Sequence, residues 1–237
     1  MPASQLSCAA ANWLTSAGFS PSATGGAASP YHRSMASPRS FALFATALGT
    51  CAIAWNEVGV TGVWLPEADA ESLRRKVARR CDGARESKPS ARVAVTVEAI
   101  TRLLDCNPVD LTSVVLDDAG IDAFDRRVYA VTRTIAPGRV LTYGEVATRV
   151  GVDATARAVG QSLGRNAMPI VVPCHRVVAT GGGLGGFSAP GGTDTKRRML
   201  AIEDAHPSSP PGLFDRDADA SGDDVAAMSD RELRARS

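Results

Sequence analysis

The rhythm of apolar and polar positions changes several times along the chain. From Phe41 to Leu65 the chain is rich in Ala, Val, Ile and Trp and is broken by Gly49, Asn56-Glu57 and Gly59, which predicts an antiparallel meander of two to three strands. Leu73, Val77 and Cys81 then recur at i, i+4 and i+8, predicting a helix whose other face carries Arg74, Arg75, Arg79 and Arg80. That basic face reads either as solvated surface or as a nucleic-acid patch. Val93–Val97 predicts a short extended stretch that runs into a helix over Val97–Leu104. After Ala119 the elements become short helices. Phe124, Val128 and Val131 sit at helical spacing, and Pro137-Gly138 ends that helix. Thr142 is placed to cap Tyr143–Val150, with Glu145 completing a capping box. A tight turn at Gly151-Val152-Asp153 leads into a second helix, Ala154–Leu163, and the pair is helix-turn-helix-like. The apolar run Ile170–Val172 predicts a buried strand that Pro173 stops, presenting Cys174 at its edge.

Composition narrows the class. The chain has 237 residues, 44% of them hydrophobic, which is enough to fill one or two cores. No stretch approaches the roughly 18 apolar residues of a membrane span. Five cysteines at scattered spacings suggest neither a disulfide framework nor a zinc ribbon, and Cys8, Cys51, Cys81, Cys106 and His32 lack ligand spacing, so no metal is expected. The net charge of +1 hides an uneven distribution: residues 122–205 hold eleven basic and seven acidic side chains, the natural place for an anionic partner. Four segments are expected: a disordered extension over 1–39, an α/β domain with antiparallel strands over 40–118, a mostly helical domain over 119–205, and an acidic disordered tail over 206–237. The first 40 residues are Ser-rich and free of acids but too poor in arginine to favour a transit peptide.

Candidate chemistry centres on Pro173-Cys174-His175-Arg176-Val177. A free cysteine is only a few per cent thiolate at neutral pH, and a neighbouring imidazole or guanidinium would raise that fraction. A lone Cys-His pair is also compatible with a buried structural cysteine. The surrounding blocks decide between them. Tyr143-Gly-Glu-Val-Ala, Ala156-Arg-Ala-Val-Gly160, Asn166, Pro173–Val178, Gly185-Gly-Phe-Ser188 and Lys196-Arg-Arg-Met-Leu-Ala-Ile-Glu203 occur in register. Together they resemble the O6-alkylguanine-DNA alkyltransferase (methylated-DNA–protein-cysteine methyltransferase) family over about residues 122–204.

The resemblance implies an α+β protein: a ribonuclease H-like N-terminal domain followed by a winged-helix-like domain that binds DNA and holds the active site. It implies repair by irreversible transfer of an alkyl group from O6-alkylguanine, and possibly in addition from O4-alkylthymine, to Cys174. His175 is then the base acting through a water, Glu203 orients it, Tyr143 rotates the target phosphate and donates to guanine N3, and Asn166 braces the active-site turn. Met168, Pro169, Val177, Phe187 and Ser188 are the implied pocket, with the Val177 and Cys174 carbonyls accepting from the guanine amine. Ala156, Ala158, Gly160, Ser162 and Arg165 are the implied DNA face, with Arg157 filling the gap left by a flipped base. The implied partner is double-stranded DNA carrying the lesion, bound by a monomer without cofactor, in cytoplasm or nucleus. Two departures stand out: the loop Ser188-Ala-Pro-Gly-Gly192 is long and proline-containing, and Phe187 stands where some relatives have tyrosine. A binding-only relative, a thiol hydrolase and a winged-helix regulator are the rival readings. The presence of Cys174 weighs against the first, and the helix-turn-helix context against the second. The third requires function to survive Cys174→Ala.

Overall fold

The computed structural model describes residues 40–81 and 83–205. The extension and the acidic tail expected to be disordered lie outside the described residues. β1 (Ser40–Thr46), β2 (Gly49–Trp55) and β3 (Val60–Trp64) form the expected antiparallel meander, and β4 (Arg85–Glu86) adds to β1 in parallel, so the sheet order is β3-β2-β1-β4. The parallel edge was not legible beforehand, because a two-residue strand of Arg and Glu has no apolar rhythm.

Both faces of the sheet are covered, which is why β2 is buried almost continuously rather than at alternate positions. On one face, α1 (Ala70–Arg80) packs Leu73, Val77 and the capping residue Cys81 against Phe41, Ala52 and Ala54. Asp69 caps it by accepting from Ser72 N at 2.6 Å. On the other face, α2 (Ala91–Leu104) packs Val93, Ile100, Leu103 and Leu104 against Cys51, Ile53 and Val63. α2 spans Ala91–Leu104 without a break, which corrects the extended stretch expected over Val93–Val97. The β-branched run reads locally as strand, but Val93, Thr96, Ile100 and Leu103 occupy one helical face, and burial of that face overrides propensity.

The second half builds a separate helical layer. α3 (Ala123–Arg133), α4 (Tyr143–Val150) and α5 (Ala156–Gly164) share a core of Val128, Val146, Val159, Leu163 and Met168. The capping box at Thr142 and Glu145 is present in both directions. Thr155, not a residue before Ala154, caps α5 by accepting from Ala158 N at 3.1 Å. α6 (Gly192–Ile202) is the last element among the described residues, and Ile170, Val171 and Met199 join the core beneath α2, so apolar packing is continuous between the halves. Asn56 and the buried Asp117 fasten the crossover with a 2.6 Å hydrogen bond. Cys51, Cys81 and Cys174 are free thiols.

Candidate active site

The run expected to be a buried strand, Ile170–Val172, is instead a buried turn, with Ile170 at a left-handed φ of 74°. Its backbone groups are satisfied from the side. Asn166 donates to Val172 O at 2.9 Å while its own carbonyl oxygen accepts from Met168 N at 2.9 Å. That is the bracing role the resemblance assigned to Asn166. The turn delivers the chain into one turn of 3-10 helix, Cys174–Arg176, followed by β6 (Val177–Val178). β6 pairs in parallel with β5 (Leu141–Thr142), the two residues that precede Tyr143. Tyr143 thus follows β5 directly, and the 3-10 turn that carries Cys174 leads directly into β6.

Behind the thiol lies a buried charge system. His175 is fully buried, and its Nε2 lies 3.0 Å from Glu203 Oε1. A carboxylate can only accept, so Nε2 carries the proton and the lone pair sits on Nδ1, which has no hydrogen-bond partner among the described residues. Arg176 does not face the thiol as its position suggested. Its guanidinium clamps Glu203 through Nε and Nη2, both at 2.8 Å, and donates through Nη1 to Ile135 O. Burial pushes the Glu203 carboxyl up, but the hydrogen bonds and charges of His175 and Arg176 prevail and hold it down at about 2. Burial also pushes the imidazole of His175 below its ordinary value, against the pull of Glu203.

Cys174 itself is pushed up by burial, opposed by the hydrogen bond of Asn166 and the charge of Lys196. This corrects the expectation that its neighbours make it a resting thiolate. At neutral pH the site holds a thiol, a neutral imidazole and a carboxylate.

Lys196 is the residue that sequence reasoning missed. It is fully buried, donates to Val177 O at 2.6 Å and lies 5.7 Å from the centre of the Tyr143 ring. Burial lowers its ammonium to about 8, with Cys174 pulling the other way. A signal was available: Lys196, Met199 and Glu203 fall at i, i+3 and i+7, so the face of α6 that buries Met199 buries the lysine too.

A cleft of about 1350 Å³ opens over Cys174. Tyr143, Ala156, Arg157, Gly160, Asn166, Met168, Pro169, Phe187 and Ser188 line it, so most of the expected pocket and DNA face converges on one space. Tyr143 donates to Gly186 O at 3.4 Å, and Gly185 passes so close that a Cβ there would lie 2.8 Å from the ring; its φ of 69° also favours glycine. Other expected residues stand elsewhere. Ser162 is fully buried, its Oγ without a partner among the described residues, because α5 turns that side toward α3, so its assignment to the DNA face is corrected. Arg165 lines the cleft but forks onto Asp125 at 2.9 and 2.5 Å, and Tyr129, one turn along α3, reaches Ser162 O at 3.4 Å. Val177 is fully buried outside the cleft and its carbonyl receives Lys196, while the Cys174 carbonyl receives Val177 N. The two carbonyls assigned to the guanine amine thus already serve the protein. His175 and Glu203 lie behind the cleft, and Ala158 is half-buried on α5.

Residues 123–205 match the family model described as the DNA-binding domain of 6-O-methylguanine DNA methyltransferase. A methylated-DNA–protein-cysteine methyltransferase of Methanothermobacter thermautotrophicus is 34% identical over 151 residues, covering 64% of this chain and 77% of that protein. The chain belongs to this family. Its namesake from Mycolicibacterium paratuberculosis is 45% identical over 92 residues, 39% of this chain but 54% of that one, so the match there spans about half of the relative. Among solved folds, Mycobacterium tuberculosis OGT in complex with DNA superposes with a TM-score of 0.56 at 26% identity, over 69% of this chain and 92% of that one. Family membership accounts for the order of the blocks, Tyr143 through Glu203, that meet around the cleft. Among the described residues no group of His, Cys, Asp or Glu could hold a metal ion, and no helix is long and apolar enough to cross a membrane.

Proposed function

We propose that the protein repairs DNA by moving an alkyl group from O6 of guanine onto Cys174, once per molecule. The observation that carries this reading is the thiol lining a cleft walled by α5, on the same 3-10 turn as the imidazole of the buried His175–Glu203 pair. Because Glu203 accepts from Nε2, the lone pair at His175 Nδ1 takes the thiol proton through a bridging water. Asn166 and the Lys196 ammonium stabilise the sulfur anion that results. The sulfur attacks the alkyl carbon in line. A carbon–sulfur bond forms, the carbon–O6 bond breaks, and its electron pair passes to the guanine ring. Tyr143 donates to guanine N3 and stabilises that charge, and the proton lost by the thiol ends on the expelled guanine. The thioether has no leaving group to surrender, so the event is single.

Delivery of the base requires flipping, at a cost of a few kcal/mol, and Arg157 on the exposed side of α5 is positioned to fill the gap. The small residues Ala156, Ala158 and Gly160 let α5 approach a minor groove about 6 Å wide. Thymine alkylated on O4 is a second substrate in the same reading, and the protein acts as a monomer on duplex DNA without a cofactor. The sheet with its flanking helices is then ribonuclease H-like, supported by the parallel β1–β4 edge, and α3–α6 is winged-helix-like, supported by the α4–turn–α5 unit.

The test is the intact mass after incubation with an oligonucleotide carrying O6-methylguanine, followed by peptide mapping. One methyl on the Cys174 peptide, and no more than one per molecule, is expected. A label on another residue, or repeated turnover, would overturn the reading.

A further inference from the structure

α3 carries two buried polar side chains that neither the chemistry at Cys174 nor the DNA face uses. Asp125 and Tyr129 lie one helical turn apart, each 6% exposed, and both line the cleft. Both reach the end of α5. Asp125 receives the fork of Arg165, the residue that caps α5, from Nε at 2.9 Å and Nη2 at 2.5 Å. Tyr129 donates to the carbonyl of Ser162, in the last turn of α5, at 3.4 Å. Burial, and then the charge of Asp125, push that phenol up, so it remains a donor at neutral pH.

Apolar packing alone does not fix this junction. Val128, Tyr129, Val159 and Leu163 share one core, but apolar contact is non-directional and leaves the tilt of one helix on another loosely set. A forked guanidinium–carboxylate pair has a defined geometry. Stability does not call for the pair, since apolar side chains of similar volume often serve a buried site as well or better. What it holds is next to the chemistry. Asn166, the residue after Arg165, braces the turn beneath Cys174 through Val172 O and Met168 N. Just past the other end of α3, Ile135 O accepts from Arg176, which clamps Glu203. One helix therefore touches the groove-reading helix at its first turn and the buried carboxylate system at its last.

Resting on the function proposed above, we propose that Asp125 and Tyr129 are positioning residues: through Arg165 and Ser162 they set the tilt of α5 relative to Cys174, so that a base displaced by α5 arrives in line with the sulfur. A phosphate contact is the other role open to Arg165. Moving its guanidinium onto a phosphate would strip the buried Asp125 of this pairing, which is costly. The geometry favours the internal pair.

The experiment uses the full chain in single turnover, with a saturating duplex that carries O6-methylguanine and, separately, with free O6-methylguanine. Asp125→Asn keeps the shape of the side chain and removes its charge. It should slow transfer from the bound duplex about tenfold, as expected for a small misplacement of the reacting atoms. Transfer from the free base, duplex affinity and its salt dependence should stay as in the parent. Arg165→Lys keeps a cation but cannot fork. It should show the same duplex-specific loss, and combining the two changes should cost no more than either alone. Tyr129→Phe removes one hydroxyl and keeps the ring in the core. Its loss, of the same kind, should be about two- to threefold, and it carries the test if thermal melting shows Asp125→Asn unfolded. Equal losses on duplex and free base would reduce both residues to structural support and overturn the proposal, as would unchanged duplex transfer in the folded variants. So would tighter duplex binding by Asp125→Asn together with a salt slope lower by about one in Arg165→Met, the pattern of a phosphate contact. A parent protein that takes no methyl on Cys174 would instead overturn the function on which the proposal rests.

Discussion

The two sides of Cys174 are built on opposite principles. Toward solvent, α5 offers Ala156, Arg157 and Gly160, an almost featureless surface with one long cation. Toward the interior, His175, Arg176, Lys196 and Glu203 are four ionisable groups with almost no exposure, each tied to a named partner. Exposed charges are screened within roughly 8–10 Å in physiological salt, whereas buried ones act strongly and tolerate little disturbance. The outer side can therefore be altered with graded losses. The inner side should fail abruptly.

The sharpest expected effect is at the boundary. Cys174→Ser should abolish methyl transfer, read by intact mass, while DNA affinity stays within a few-fold of the parent; retained transfer would dissolve the comparison. On the inner side, His175→Ala should slow single-turnover transfer by about 10²–10⁴. Glu203→Gln should do likewise and also lower stability by about 3–5 kcal/mol in denaturant titration, because Arg176 loses its buried anion. On the outer side, Arg157→Ala should slow transfer from duplex DNA about ten- to a hundredfold and leave transfer from free O6-methylguanine unchanged. Equal losses on both substrates would move Arg157 into the chemistry.

The smallest effect concerns proton linkage at Lys196. Its folded value of about 8 lies below its ordinary 10.5, so between these pH values the unfolded chain holds a proton that the folded chain has released. Stability should therefore rise with pH across that window. Cys174 opposes this above about 9, because its raised thiol keeps a proton that the unfolded chain loses. Cys51 and Cys81, whose thiols burial also raises, oppose it in the same way, so the effect is read as a difference: between pH 8 and 10.5 the melting temperature of Cys174→Ser should rise relative to that of Cys174→Ser with Lys196→Met.

Much of this was legible in the chain. The meander, α1 and the capped α4 follow from local spacing, and the motif blocks name the cysteine, its imidazole and the distant carboxylate. What escaped depends on long-range contact. The strand-like letters of Val93–Val97 became helix because α2 covers a sheet face, and Ile170–Val172 became a turn because Asn166 supplies its hydrogen bonds. Arg176 is a candidate thiol activator by adjacency alone, and adjacent side chains usually diverge; its guanidinium turns to Glu203. Lys196 was visible as part of a block, but a lysine is rarely fully buried, and nothing local announced that Val177 would receive it.

The pairing of Leu141–Thr142 with Val177–Val178 is only two residues long on each side, yet it joins segments 36 positions apart, as the register Leu141↔Val177 shows. It works as a jig. Tyr143, which follows β5 at the start of α4, and Cys174, in the 3-10 turn that leads into β6, are both anchored to this small frame. A change that loosened this ladder would therefore be felt at both side chains at once, however far it lay from either in the sequence.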